Sequence, residues 1–178
     1  MTERIIISGF GGQGIMFLGK LVAWAAMREN RFVTFLPAYG AEVRGGTSHC
    51  SIIISDKEIA SPCADNLDTL IAMNGPSVVK FLPMAKKGRE VFINSSMVDC
   101  IPQQAAAVKV HRIPFTDLAS KLGSSKCANM VALGAYLAKR KTLALATIIN
   151  MLPEAFKNNT KLVRLNERAI YTGMKIKQ

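Results

Sequence analysis

Ile5-Ile6-Ile7-Ser8-Gly9-Phe10-Gly11-Gly12-Gln13-Gly14 is the stretch that decides the fold. Arg4 to Ser8 is β-branched and unbroken, the pattern of a buried strand. Four glycines follow, and Ile15 to Arg28 then carries helix formers, with Ile15, Leu18, Leu21, Val22 and Ala25 on one face. Gly9, Gly11 and Gly14 spell G-x-G-x-x-G. Strand, glycine turn and helix in that order present bare backbone N–H groups at a helix N-terminus, where a phosphate is stabilised. Asn30 ends the helix and Arg31 to Leu36 is apolar again, so residues 4–36 read as a β-α-β unit with a right-handed parallel crossover.

Outward from that unit, Pro37 to Gly46 is a ten-residue loop holding three glycines, Glu42 and Arg44, long for a connection in a compact α/β unit. Thr47 to Ser55 reads as a third strand, with Glu58 to Ser61 returning as a short hairpin arm after an Asp56-Lys57 turn. Thr69 to Met73, Glu90 to Asn94 and Ala107 to Ile113 are further strands, and Ser77 to Lys87 is helical with a break at Pro83. Beyond Pro114 the chain turns helical: Thr116 or Asp117 to Gly123, Ser124 or Ser125 to Arg140, a segment capped by Thr142 that ends before Pro153, and Lys161 to Met174. The expected architecture is α/β: a Rossmann-like, doubly wound, mostly parallel sheet with C-terminal helices, in one domain over residues 1–178.

The 178 residues suffice for one full core, and 49% hydrophobic with 20% charged residues is an ordinary globular balance. No uncharged apolar run is long enough to span a bilayer and the N-terminus does not read as a signal peptide, so a cytoplasmic protein without membrane contact is expected. Cys50, Cys63, Cys100 and Cys127 are scattered with no C-x-x-C, which speaks against an iron–sulfur or zinc site in this chain and for small buried thiols. The net charge of +11 fits nucleic acid, an anionic cofactor or an acidic partner. Aromatics make up only 7% and do not interleave with the basic clusters, so nucleic acid is set aside. In the last helix Lys161, Arg164 and Arg168 share one face and Leu162, Leu165 and Ala169 another, which makes the basic face either a solvated surface or a partner contact.

Two loops carry the candidate chemistry. A dinucleotide site also wants an acid at the end of the second strand, but that strand ends Phe35-Leu36-Pro37-Ala38-Tyr39. The glycine turn therefore serves either tight strand–helix packing or the phosphate of another cofactor, with the Gln13 amide available to bond such a group. In Tyr39-Gly40-Ala41-Glu42-Val43-Arg44-Gly45-Gly46-Thr47, Arg44 sets a guanidinium beside backbone that a ligand can approach closely. Glu42 either orients Arg44 or braces the turn. Loops at the carboxyl ends of strands in an open α/β sheet meet in one crevice, so the two are expected to be neighbours. His49 and His111, the only histidines, read as core or surface residues. Asn129, alone in an apolar helix, needs a partner from backbone or ligand. No self-sufficient catalytic set is present.

Taken together, Gly9 to Gly14, Pro37 to Gly46, Ala128-Asn129-Met130-Val131-Ala132-Leu133-Gly134, and Leu165-Asn166-Glu167-Arg168-Ala169 with Gly173 resemble the gamma subunit of 2-oxoacid:ferredoxin oxidoreductases, and the resemblance covers nearly the whole chain. It implies part of an enzyme, inactive as an isolated chain. That enzyme decarboxylates a 2-oxoacid oxidatively with coenzyme A, giving acyl-CoA, carbon dioxide and reduced ferredoxin. The second loop looks most like the 2-oxoglutarate type, with pyruvate, branched-chain and indolepyruvate types left open. Thiamine diphosphate and 4Fe-4S clusters are implied on partner alpha and beta subunits, with a ferredoxin-like delta subunit in many members and ferredoxin as acceptor. A homodimer is allowed for the isolated chain. Carried over residue by residue, Gly11, Gly12, Gln13, Gly14, Tyr39, Glu42, Arg44, Gly45, Gly46 and Asn129 fall in the cofactor-binding region, with coenzyme A as the ligand this chain would contact. The rival reading is a stand-alone Rossmann-like nucleotide-binding module or NAD(P)-dependent dehydrogenase.

Overall fold

The computed structural model describes residues 1–38 and 48–176. Six strands form one sheet: β1 (Thr2–Gly9), β2 (Phe32–Ala38), β3 (Ser48–Ser55), β4 (Leu67–Ala72), β5 (Ala85–Asn94) and β6 (Lys109–Ile113), in the order β2-β3-β1-β4-β5-β6. Strands β1, β4, β5 and β6 pair parallel, while β3 lies antiparallel between β1 and β2. The sheet is mostly parallel, as expected. The crossover differs: β2 runs in the direction of β1 but one strand away, because β3 occupies the place beside β1. Its Ile52 and Ile54 bury as completely as Ile5 and Ile7 do, so the central position goes to the strand that is apolar on both faces. β2 has its outward face exposed at Phe32 and Leu36 and suits an edge.

Helices cover both faces. Ile5, Ile7, Ile52, Ile54, Ile71 and Phe92 bury against α1 (Ile15–Arg28), α3 (Phe115–Lys121), α4 (Ala128–Lys139), α5 (Leu145–Ala155) and α6 (Thr160–Met174). Ile6, Ile53, Leu70, Val91 and Ile93 bury on the other face against the short α2 (Gly75–Phe81), Leu82 and Val98. α2 begins where Asn74 accepts a hydrogen bond from the Ser77 N–H at 2.9 Å.

Four local expectations are corrected. Glu58 to Ser61 forms no strand. β5 starts at Ala85, because Lys86 and Arg89 reach the buried Asp68 carboxylate at 3.3 and 3.4 Å and make a polar segment part of the sheet. Pro153 lies inside α5, in its last turn. Thr142 does not cap that helix: its hydroxyl donates to Glu3, a fully buried carboxylate that also accepts from Thr69 Oγ1 at 2.7 Å and Arg140 Nε at 2.9 Å. The thiols divide, with Cys50 and Cys127 buried but Cys63 and Cys100 exposed. No helix among the described residues is long and apolar enough to cross a membrane.

α4 and α6 meet backbone to backbone. A Cβ on Gly134 would strike the Ile170 carbonyl, and one on Gly173 the Val131 carbonyl. Only hydrogen fits at either position, which lets the helix axes approach closely.

Candidate functional site

The glycine turn leaves the sheet at Gly9, whose cross-strand partner is Ser48. Gly12 (φ 87°) and Gly14 (φ 72°) occupy the left-handed region that disfavours other residues. Gly14 is the N-cap of α1; no side chain caps this terminus and no acid lies in its first turn. Hydrogen bonding inside the helix starts with Leu18 N–H to the Gly14 carbonyl at 3.0 Å. A Cβ on Gly11 or Gly12 would meet nothing within 4 Å, so the outer side of the turn is open.

The turn is braced from three sides. Gln13 Oε1 accepts from Phe10 N–H at 2.7 Å, and Gln13 Nε2 donates to the Met73 carbonyl at 3.3 Å. Both ends of that amide are therefore engaged inside the protein, and Gln13 shapes the turn. The same Met73 carbonyl accepts from Asn94 Nδ2 at 3.2 Å, and Asn94 also bonds Thr116 Oγ1 at 2.9 Å. Asn129, at the start of α4, donates from Nδ2 to the Gly14 carbonyl at 3.2 Å. Its partner is backbone, and it ties α4 to the turn.

Two clefts flank this braced turn. One, of about 210 Å³, is lined by Gly12, Gln13, Met73, Met97, Thr116 and Lys126. The other, of about 240 Å³, runs from Gly14 and Phe17 past Lys126 and Asn129 to Phe156, Leu162 and Asn166. Lys126 borders both, is exposed, and is the one charged side chain on either lining among the described residues. Its backbone N–H is held by Ser124 Oγ at 3.3 Å in the turn that opens α4. Sequence reading named Ser124 as a cap and passed over Lys126; the signal was a lysine two residues behind a helix cap, in the segment that faces the glycines. The turn can therefore offer an anion free N–H groups, an open glycine surface and one flanking ammonium.

Of the residues expected at this site, Gly11, Gly12, Gln13, Gly14 and Asn129 come together. Tyr39, Glu42, Arg44, Gly45 and Gly46 lie outside the described residues. The strands that bracket them end beside the turn: Ala38 pairs with His49, and Ser48 with Gly9. His49 belongs to the opposite face of the sheet, its ring 4.7 Å from that of Phe81. Burial, with Lys80 nearby, lowers its pKa below the usual histidine range.

The model of the family described as pyruvate ferredoxin/flavodoxin oxidoreductase matches residues 4–176. Ketoisovalerate oxidoreductase subunit VorA of Methanothermobacter thermautotrophicus is 34% identical over 171 residues, 96% of this chain. The chain spans about a third of that relative's length (35%). Among solved structures, the gamma subunit of a keto/oxoacid ferredoxin oxidoreductase from Geobacter sulfurreducens superposes with a TM-score of 0.83 at 26% identity, covering 97% of this chain and 96% of that one. The 2-oxoglutarate:ferredoxin oxidoreductase of Magnetococcus marinus, solved with 2-oxoglutarate, coenzyme A and succinyl-CoA, gives a TM-score of 0.86 at 26% identity over 97% of this chain and 30% of that one.

Proposed function

The chain belongs to the pyruvate ferredoxin/flavodoxin oxidoreductase family, and on that premise we propose that it is the gamma-type subunit of a multisubunit 2-oxoacid oxidoreductase. In this reading the complex oxidises a 2-oxoacid with coenzyme A to acyl-CoA and carbon dioxide and passes the electrons to ferredoxin. The oxoacid we assign is 2-oxoglutarate, on the resemblance of the Tyr39 to Gly46 loop; the relatives include a ketoisovalerate enzyme, so substrate comparison belongs in the test. Thiamine diphosphate and 4Fe-4S clusters, which supply decarboxylation and electron transfer, sit on companion alpha and beta subunits, with a delta subunit where one is encoded.

The part of this chain is to hold the polyanionic end of coenzyme A. The observation that carries this is the uncapped N-terminus of α1 beside an exposed glycine turn and Lys126. The residues fit such a group: N–H donors without a side-chain cap, no carboxylate in the first turn, and space on the open side of Gly11 and Gly12. Lys126 supplies charge, and Gln13 and Asn129 keep the turn in shape.

The test is co-purification of the tagged chain from its native source, followed by assay with coenzyme A and a panel of 2-oxoacids against an artificial electron acceptor. Recovery of companion chains and coenzyme A-dependent oxidation of 2-oxoglutarate is expected. Lys126→Ala should raise the coenzyme A KM about two- to fivefold and leave kcat near the parent value, the size of one exposed charge contact. Recovery of a homodimer alone, with NAD(P) binding by the isolated chain, would replace this reading.

A further inference from the structure

Helix α6 carries a second recognition surface. Lys161, Arg164, Arg168, Tyr171 and Lys175 follow one another at spacings of three, four, three and four, so they form one stripe along the helix. At 1.5 Å per residue the stripe is roughly 21 Å long. All five residues are exposed, and none of the four cations is in an ion pair among the described residues. Other cations unpaired among the described residues, such as Lys20, Lys57 and Lys87, stand on separate segments, whereas Arg28, Arg31, Arg140, Lys86 and Arg89 are paired with carboxylates; what sets α6 apart is four unpaired cations in one row. From Lys157 to the C-terminus there are six basic residues against the single acid Glu167. Like charges at these helical spacings repel, so the stripe is an arrangement that the isolated fold does not reward.

The opposite face of α6 explains why the stripe is rigid. Asn166, Ala169, Ile170 and Gly173 are buried, and the helix rests against the backbone of α4. The cations are thus displayed on a fixed rod. Its N-terminal end, through Leu162 and Asn166, borders the cleft that runs from Gly14 and Lys126.

We propose that this stripe is the docking surface for a companion subunit that presents a row of carboxylates, seated beside the glycine turn. The inference rests on the multisubunit reading above and adds to it the surface and the chemistry of contact. A protein partner is favoured over a nucleic acid because Tyr171 is the one aromatic residue on the stripe and no stacking platform accompanies it. A membrane is disfavoured because the apolar face of α6 is packed inside the protein. The chain matches about a third of the length of its ketoisovalerate oxidoreductase relative, so the remainder of that relative is the counterpart we take as the occupant, and exposed cations give such a contact both range and register.

The experiment measures binding of the full chain to the separately expressed companion subunit that matches the remainder of the longer relative. Titrations at 50 and 300 mM salt compare the parent with the triple variant Lys161→Glu, Arg164→Glu, Arg168→Glu. A control, Lys20→Glu, Lys57→Glu, Lys87→Glu, makes the same change in net charge elsewhere, and thermal melts verify that all three chains fold. The proposal expects parent affinity to fall steeply with salt. The stripe variant should lose at least tenfold at 50 mM with a flattened salt dependence, and the control should stay within about twofold. Equal loss in both variants, or none in the stripe variant, overturns the docking surface while leaving the multisubunit reading intact. Failure of the parent to bind the companion overturns both. Stripe-dependent binding of single-stranded RNA or of phosphatidylserine vesicles, with the companion indifferent to the variant, assigns the stripe elsewhere and overturns the proposal.

Discussion

Replacing Gly14 by alanine tests whether the glycine turn is shaped by backbone conformation alone or by its contact with α4. Two costs are separable. Gly14 has φ 72° and ψ 24°, a left-handed conformation that costs an L-residue roughly 1–2 kcal/mol. In addition the new Cβ would fall on the Asn129 amide, and such overpacking typically costs about 1–3 kcal/mol. The sum is about 3 kcal/mol, which for a chain of this size lowers Tm by roughly 6–12 °C. Asn129→Ala alone loses the bond from Nδ2 to the Gly14 carbonyl and should cost about 1 kcal/mol. In the Asn129→Ala background the obstruction is gone, so Gly14→Ala should cost only the conformational share. Urea titrations of the four chains of this double-mutant cycle give the coupling directly, expected at about 1–2 kcal/mol in favour of the double variant. An identical cost of Gly14→Ala in both backgrounds would refute the claim that Asn129 and Gly14 form one unit.

Three further outcomes follow from the interior. Glu3→Ala strands the Arg140 guanidinium and two hydroxyls, and should cost about 3–5 kcal/mol in urea melts; a loss below 1 kcal/mol would contradict the burial of that carboxylate. Burial, and next the charge of Glu3, hold the Tyr136 phenol well above its ordinary pKa, so the folded chain keeps a proton that the unfolded chain releases near pH 10. That stability is complete below pH 10 and is lost as pH rises above it, by about 1.4 kcal/mol per pH unit, and Tyr136→Phe should flatten this slope between pH 9 and 11. A thiol reagent should label Cys63 and Cys100 in the native chain; Cys50, pushed up to about 12 by burial, and Cys127, also raised by burial, should react only on unfolding.

What could be read in advance was local. Helix α1 has the ends expected from its glycines and Asn30, since the signals that start and stop it lie within a few residues of one another. Asn129 was flagged because a lone amide in an apolar helix must find a partner, and it found one 115 residues away. The lateral order of strands was not legible: Ile5-Ile6-Ile7 and Ile52-Ile53-Ile54 are interchangeable as patterns, and only three-dimensional packing decides that β3 comes between β1 and β2. Thr142 misled because its hydroxyl serves Glu3 across 139 residues and not the helix start beside it. Lys126 went unnoticed because its importance lies in bordering two clefts, which no spacing along the chain records.

The crossing of α4 and α6 has a genetic consequence. At Gly134 and Gly173 the atoms that a side chain would strike are main-chain carbonyls of the facing helix. A collision between two side chains can be relieved by shrinking either one, but a carbonyl oxygen is the same in every residue. Loss-of-function changes at these two positions should therefore lack suppressors among substitutions at Ile170 or Val131. Revertants should be confined to restoration of glycine, whereas changes at Gly14 leave open an escape through Asn129.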